Sequence, residues 1–310
     1  MFAYTIKRIL WFPVVLAIIS FVTFTMGFYG PGDPAMVRLG SKATPEAVER
    51  MREKMGLNEP FMYQYMTYAS SALKGNFGES HSFSGRSVSE LIVKKIGISL
   101  QLGLGAMFIS LSIGIPLGIF AAIKQGTAMD TFLVGFSLFF YATPVFISAP
   151  VLILLFGVKF HLLPTSGWDG IVSLSAIMPI VILGFPGIAV MTRLTRASFL
   201  EVINQDFVRT AYAKGLSEYQ VNFRHVLKNA LIPLITIIGL SLATLVEGAF
   251  IAETIFGIPG IGRFAVESIL SRDYPVIMAV TIITAFAFSL TNLIVDLLYC
   301  YVDPRIRLIK

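Results

Sequence analysis

Apolar residues in this chain gather into long blocks rather than into the alternating or one-in-three patterns of a soluble fold. Six blocks of about twenty residues or more stand out: 9–29, 96–123, 131–158, 171–192, 230–252 and 275–295. They contain no Asp, Glu, Lys or Arg except Glu247 in the fifth block. About twenty residues of helix cross the roughly 30 Å of a bilayer's hydrocarbon. Lipid tolerates only structures that satisfy their own backbone, helices or closed barrels, and these blocks show no period-two alternation. The pattern predicts an all-α, polytopic membrane protein with six transmembrane helices.

The polar stretches between the blocks carry their own signals. In segment 30–95, Pro31-Gly32-Asp33-Pro34 predicts a rigid turn out of the membrane. Thr44 followed by Pro45 predicts a helix start, with Val48, Met51 and Met55 on one face and Gly56 as the stop. Pro60 opens a second helix with Phe61, Tyr65 and Tyr68 on one face, closed at Lys74-Gly75. This insertion reads either as a cap packed on the bundle or as a surface for a soluble partner. The expected organisation is a first transmembrane helix (1–29), a helical insertion (30–95), a five-helix core (96–303) and a short tail (304–310).

Composition agrees: of 310 residues 55 % are hydrophobic and 14 % charged, too apolar for a soluble core or a disordered chain. The net charge of +6 gathers on no soluble face, so nucleic acid is not an expected partner. Its distribution instead orients the spans. Twelve cations lie in the short segments on one side: Lys7, Arg8, Lys124, then six between Arg193 and Lys228, then Arg305, Arg307 and Lys310. The other side's short segments hold Lys159, Arg263 and Arg272. By the positive-inside rule both termini are expected in the cytoplasm and 30–95 outside. The first block is longer than a signal-peptide core and lacks an A-x-A site, so it is read as a retained span. The single Cys300 leaves the redox compartment unreadable.

The longest expected cytoplasmic connection, 193–229, predicts two helices around one glycine. Residues 197–214 are rich in helix-tolerant types, Gly215 breaks them, and Ser217-Glu218-Tyr219-Gln220 is a capping box opening a second helix. At α-helical spacing Tyr219, Phe223 and Val226 share one face, with Arg224 and Lys228 on another. A short helix of aromatic and basic residues suits a groove on a cytoplasmic partner.

At these residues the chain resembles a known family, the permease subunits of bacterial ATP-binding-cassette importers, and within it the peptide, nickel and glutathione branch. The stretch 206–216 (DFVRTAYAKGL) and its continuation 224–233 (RHVLKNALIP) resemble that branch's version of the family's EAA loop. Arg209 stands where the general pattern has Glu, Thr210 replaces the first Ala, and Ala211 and Gly215 match. Lys228 occupies the usual proline position, with Pro233 five residues later. The exit turn 31–34, the stretch 194–198, the loop 253–263, Arg272-Asp273-Tyr274-Pro275 and Asp303-Pro304-Arg305 also resemble branch features, in order along the whole chain.

The resemblance implies a type I importer permease fold in the bacterial plasma membrane and alternating access driven from outside the chain. It implies as partners a second homologous permease subunit, two ATP-binding subunits carrying ATP and Mg, an extracytoplasmic substrate-binding protein and the bilayer. The helix after Gly215 would be the coupling helix, with Arg209, Thr210, Ala211, Gly215, Leu216, Ser217, Tyr219, Phe223 and Arg224 at the ATPase contact. Independently, the chain has no G-x-x-x-x-G-K-[ST] phosphate loop, so it is expected to be no enzyme and to hold no cofactor itself. Di- or oligopeptides are the first substrate reading, with glutathione, chelated nickel and oligosaccharides open.

Glu247 is the one carboxylate well inside a predicted span, a functional hypothesis by default because burying charge is costly. With Asn292 it is a candidate for lining a translocation cavity; a structural hydrogen bond or a hydrated position are the alternatives. The loop broken by Gly257, Pro259, Gly260 and Gly262, with Arg263, is a candidate outer gate or docking surface, or a plain connection. Gly103, Gly105, Gly114 and Gly118 suggest close helix contacts, and Pro116 a kink. A self-sufficient secondary transporter is the alternative function; it calls for paired broken helices and ion-binding carboxylates.

Overall fold

The computed structural model of the chain describes residues 2–40, 43–83, 85–245 and 249–302. Among them regular structure is helical, with one isolated antiparallel bridge between Glu79 and Ser87. Helix α1 is Phe2–Tyr29, and the exit turn leads straight into α2, Pro34–Leu39. The sequence suggested only a turn there. Asp33 is instead a helix N-cap, its carboxylate accepting from the Ala35 N–H at 3.0 Å, with Pro34 at the first helical position. Helices α3, Pro45–Lys54, and α4, Phe61–Leu73, lie where expected, and Thr44 caps α3. Then come α5, Val88–Ile123; α6, Ala128–Ala142; and α7, Val145–Leu152, which widens into π-helical turns over Ile153–Lys159. The chain continues through α8, Leu174–Ile203; α9, Asp206–Ala213; α10, Glu218–Gln220; a π-helical stretch, Val221–Val226; and α11, Leu227–Thr244. It ends with α12, Phe250–Ile255; α13, Ile261–Leu270; and α14, Tyr274–Val302.

Four of these are long and apolar enough to cross a membrane: α1 over Leu10–Tyr29, α5, α8, and α14 over Tyr274–Ile294. Two expected spans are divided. The third block bends by 97° between α6 and the helix beginning at Val145. Pro144 has no N–H to continue the ladder and pushes Thr143 to extended backbone (φ −85°, ψ 113°). The fifth block is shared by α11 and α12, with Ala249 outside both helices. The described helices therefore supply four spans, or five with the bent pair counted as one, against the six expected.

Helices α1 to α4, α5 as far as Ser99, α13, and α14 as far as Leu293 form one compact unit. Val88 and Ile92 of α5 meet Ile261 and Phe264 of α13 and Val276, Ala279 and Val280 of α14 in its core. The aromatic face of α4 is used internally. Phe24 of α1 packs on Phe61, Tyr65 and Tyr68 at centroid distances of 5.5–5.6 Å, the spacing at which ring quadrupoles attract.

A fully buried carboxylate, Asp273, organises the same unit just ahead of α14. It accepts from the Ser80 hydroxyl, from the His81 N–H at 3.1 Å and from the Ser82 N–H at 3.0 Å. Ser80 Oγ in turn accepts from the Phe83 N–H at 2.8 Å. A buried charge persists only when compensated in this way, so residues 80–83 are pinned to the start of α14.

His81 beside it is 7 % exposed. Burial holds its pKa below the ordinary value; the Asp273 carboxylate opposes this and Arg38 reinforces it. The unfolded chain takes up a proton at His81 near pH 6.5, roughly, and the folded chain only at lower pH. Stability is therefore lost as pH falls from about 6.5 towards the folded pKa and stays level below it. Melting of the purified chain at a series of pH values should show this decline, and His81→Gln should flatten it.

The rest of α5, α6 to α11 and most of α12 form the second unit, with α8 at its centre. Small residues let α5 approach α8 closely, as expected from the sequence. A Cβ on Gly105 would lie 2.6 Å from Ile180, and one on Gly114 would lie 2.6 Å from Met191. The Ser110 hydroxyl donates across this contact to the Gly184 carbonyl at 2.9 Å. Helix α5 nevertheless runs unbroken through Pro116. On another side of α8, Phe140 of α6 meets Phe185 at 4.3 Å.

Candidate functional site

The segment after α8 is built around one left-handed residue. At the end of α9 the Gly215 N–H donates to the Tyr212 carbonyl at 2.9 Å and the Leu216 N–H to the Ala211 carbonyl at 3.4 Å. These are the two bonds of a Schellman motif, and Leu216 and Ala211 join one apolar cluster beneath it. Gly215 takes φ +76°, and a Cβ there would meet nothing within 4 Å. Backbone conformation, not crowding within the chain, requires glycine. Two residues on, Ser217 Oγ accepts from the Gln220 N–H at 3.4 Å, and Gln220 Oε1 from the Ser217 N–H at 3.1 Å. The capping box expected from the sequence is complete.

The register after this cap differs from expectation. Over Val221–Val226 the helix is π-helical, bonding i to i+5. That wider turn brings Val221 and Val226 to the same side, and both are fully buried. Tyr219 and Phe223 therefore do not share a face with Val226. They stay outside, 71 % and 44 % exposed, with their rings 4.7 Å apart. The expected short, separate helix also gives way to something longer. Helical backbone runs residue by residue from Glu218 into α11, which ends at Thr244.

Around this pair the surface is aromatic and basic. Phe207 and Tyr212 are exposed, as are Arg209, Thr210, Ser217 and Arg224. Arg209 is 76 % exposed and lies 3.5 Å from Asp206, a surface pair of little energetic weight. Ala211 and Leu216, expected at a partner contact, are less exposed than these. Ala211 is 5 % exposed and Leu216 half-buried against the cluster, so their apolar groups pack the chain's own interior. That cluster joins Ile119 and Ala122 of α5, Phe199 and Val202 of α8, Val208 of α9, and Val221, Val226 and Ala230. The exposed face thus rests on the ends of three long helices. Nearby, Arg196 of α8 forks onto both Asp130 oxygens at 2.7 Å, and the Gly126 N–H donates to the same carboxylate at 3.1 Å. This brace was not legible beforehand, because its partners are 66 residues apart.

Residues 114–308 match the family model described as binding-protein-dependent transport system inner membrane component. The chain belongs to this family. Residues 1–87 match the model for the N-terminal part of such membrane components. A relative from Sinorhizobium fredii, named a probable peptide ABC transporter permease protein, is 39 % identical over 310 residues, covering 98 % of this chain and 99 % of its own. The oligopeptide transport system permease protein OppB of Salmonella typhimurium is 36 % identical over 99 % of this chain and 100 % of its own. The dipeptide transport system permease protein DppB of Escherichia coli is 36 % identical over 93 % and 94 %. Among solved structures, the inward-facing MetNI methionine ABC transporter matches with a TM-score of 0.57 at 18 % identity, over 69 % of this chain and 97 % of that one. The fold is that of ABC importer permeases, and the chain is the membrane component of a binding-protein-dependent transport system.

The other expected sites of this binding-protein-dependent permease are less developed. Glu247 lies outside the described residues, and Asn292 is half-buried on α14. In the loop 257–263, Pro259 is exposed, Gly257 and Arg263 are half-buried, and Gly260 is buried as the residue preceding α13. Gly257 takes φ +66°, and Arg263 Nε lies 2.6 Å from Glu267 Oε1. Sequence reasoning also passed over the role of Asp273. Its signal was an acid directly before a helix start, indistinguishable along the chain from an ordinary cap.

Proposed function

We propose that this chain is a permease subunit of an ATP-driven importer of di- or oligopeptides, working by alternating access. The exposed face around Gly215 is where an ATPase subunit docks. One observation carries the coupling role: Tyr219, Phe223 and Arg224 are presented on backbone continuous with α11, and the cluster beneath them seats it on the ends of α5 and α8. A push on that face reaches long apolar helices without crossing a flexible joint. Peptides are favoured because near-full-length relatives carry peptide, oligopeptide and dipeptide transport in their names.

In this reading ATP and Mg sit on two partner ATPase subunits, and this chain transmits their closure without hydrolysing anything. The remaining partners are a second, homologous permease and an extracytoplasmic binding protein that loads substrate near 257–263. Glu247 and Asn292 are its candidates for the translocation path. Both termini lie in the cytoplasm. Differential binding of ATP to the two states supplies the energy.

The test is affinity purification of the tagged chain in mild detergent with mass spectrometry of what accompanies it. A permease-like chain and one or two ATPases should be recovered in stoichiometric amounts. The tagged chain alone, taking up peptide after reconstitution without ATPases, would refute the reading in favour of a self-sufficient transporter.

A further inference from the structure

Helix α4, Phe61–Leu73, is too short to cross a bilayer and carries no charged residue, with Glu59 and Lys74 just beyond its ends. A charge-free helix of this length belongs to a buried core, to the membrane interface or to a re-entrant segment. It is not a core helix, because Met62, Met66 and Leu73 are 52 %, 58 % and 90 % exposed. At about 100° per residue, these three and Ala69 fall within roughly 60° of arc. Gln64, Thr67 and Ser71 lie on the opposite arc and line a polar cleft with Arg38 and Arg52. The helix is thus amphipathic, with its polar side turned to charged neighbours and its apolar stripe open.

The contacts with α1 give the depth at which α4 sits. Tyr65 Oη lies 3.0 Å from Ser20 Oγ and 3.5 Å from the Ala17 carbonyl oxygen. At roughly 1.5 Å per residue, Ser20 is about 13 Å and Ala17 about 18 Å along α1 from Tyr29, where the apolar span ends. Half the hydrocarbon of a bilayer is about 15 Å thick. A hydroxyl at that depth has no water to bond and needs a partner within the protein, which Ser20 supplies. The same contacts orient the helix. Tyr65, beside the Met62 stripe on the helical arc, reaches Ala17, Ser20 and Phe21, whereas Tyr68, beside the polar arc, meets Phe24. The apolar stripe therefore turns towards mid-span and the polar arc towards the end of α1. Phe21, which meets both Phe61 and Tyr65, is itself exposed, and almost none of the α1 span is buried within the chain. The stripe continues the apolar surface of a membrane span.

We propose that α4 lies in the membrane interface, with Met62, Met66, Ala69 and Leu73 seated among lipid acyl chains and its polar arc towards water. In the orientation proposed above, the leaflet is the outer one. Unbranched thioethers suit contact with fluid hydrocarbon. The assignment depends on the span of α1 and the contacts of α4, not on what the importer carries. It gives part of segment 30–95 to the bilayer, where the sequence suggested a cap or a surface for a soluble partner.

The test places single nitroxide labels on the full chain, purified with its associated subunits and reconstituted in nanodiscs of phosphatidylethanolamine and phosphatidylglycerol. Cys300→Ser removes the native thiol, and Met62→Cys, Met66→Cys, Leu73→Cys and Thr67→Cys each supply one site. Power saturation compares oxygen, which concentrates in hydrocarbon, with a neutral nickel chelate, which stays in water. Labels at 62, 66 and 73 should show an oxygen-to-nickel accessibility ratio several-fold above that at 67, and should saturate as groups roughly 5–10 Å into the interface. Any variant that does not elute with the parent complex is replaced by Ala69→Cys, on the same arc. Nickel accessibility at the stripe equal to that at 67 puts it in water and overturns the proposal. Low accessibility to both reagents means that protein covers the stripe, a second permease or a binding protein, and overturns it equally. Peptide uptake plays no part in the readout, so failure of the transport reading leaves the result intact.

Discussion

Gly215→Trp is expected to abolish peptide uptake, while Gly215→Asn keeps most of it and Gly215→Ala lies between. All three place a side chain at φ +76°, a conformation that costs an ordinary L-residue about 1–2 kcal/mol and asparagine less. Ala and Trp therefore share the backbone penalty and should lower the melting temperature alike. They differ only in what projects outward, because nothing in the chain lies within 4 Å of a Cβ built there. An indole on that surface should weaken ATPase docking by about tenfold or more, about 1.4 kcal/mol. Co-purification of the ATPase and uptake in proteoliposomes give the readout. Equal uptake by the Ala and Trp variants would remove Gly215 from the contact and leave it a purely conformational residue.

The second large effect is on stability. Asp273→Asn should cost about 3 kcal/mol or more, since hydrogen bonds to a charged group contribute about 1.5–3 kcal/mol each. The carboxylate accepts from Ser80, His81 and Ser82 in a fully buried position. An amide accepts through one oxygen and turns its NH₂ towards donors. Ser80→Ala removes one of those bonds, together with the bond that Ser80 Oγ accepts from the Phe83 N–H, and should cost about 1.5–3 kcal/mol. Thermal unfolding of the purified chain ranks the two, and limited proteolysis should show faster cleavage within 79–87 in the Asn variant. Loss within about 0.5 kcal/mol for Asp273→Asn would place it with ordinary surface changes and contradict the pinning role.

Where local signals were strong, they were legible in advance. Thr44-Pro45 and Ser217 through Gln220 opened helices as written, because a cap and its donors lie within three residues of each other. Gly215 ended α9 for the same reason. The exposed segment after Gly215 was expected as an α-helix, and its register differs. The π-helical stretch Val221–Val226 follows from how Val221, Val226 and Ala230 pack on Phe199 and Val208, and an α-helical wheel carries no sign of it. The smallness of Ala211 suits a close contact, and the structure shows it packed within the chain's own cluster.

By itself the sequence determined that this is a helical membrane chain, roughly where its long apolar segments lie, where its capped helices begin, and which family its loop resembles. Apolar block length, cap chemistry and the demand for φ above zero are local or additive along the chain, so they can be read without a fold. Tertiary structure alone decided that Arg196 braces Asp130, that Asp273 clamps Ser80 to Ser82 across some 190 residues, and that Val221 and Val226 join one buried cluster with Phe199 and Ile119. Each of these depends on which distant surfaces meet. That is set by packing and by the need to satisfy buried charge, neither of which leaves a mark at one position of the chain.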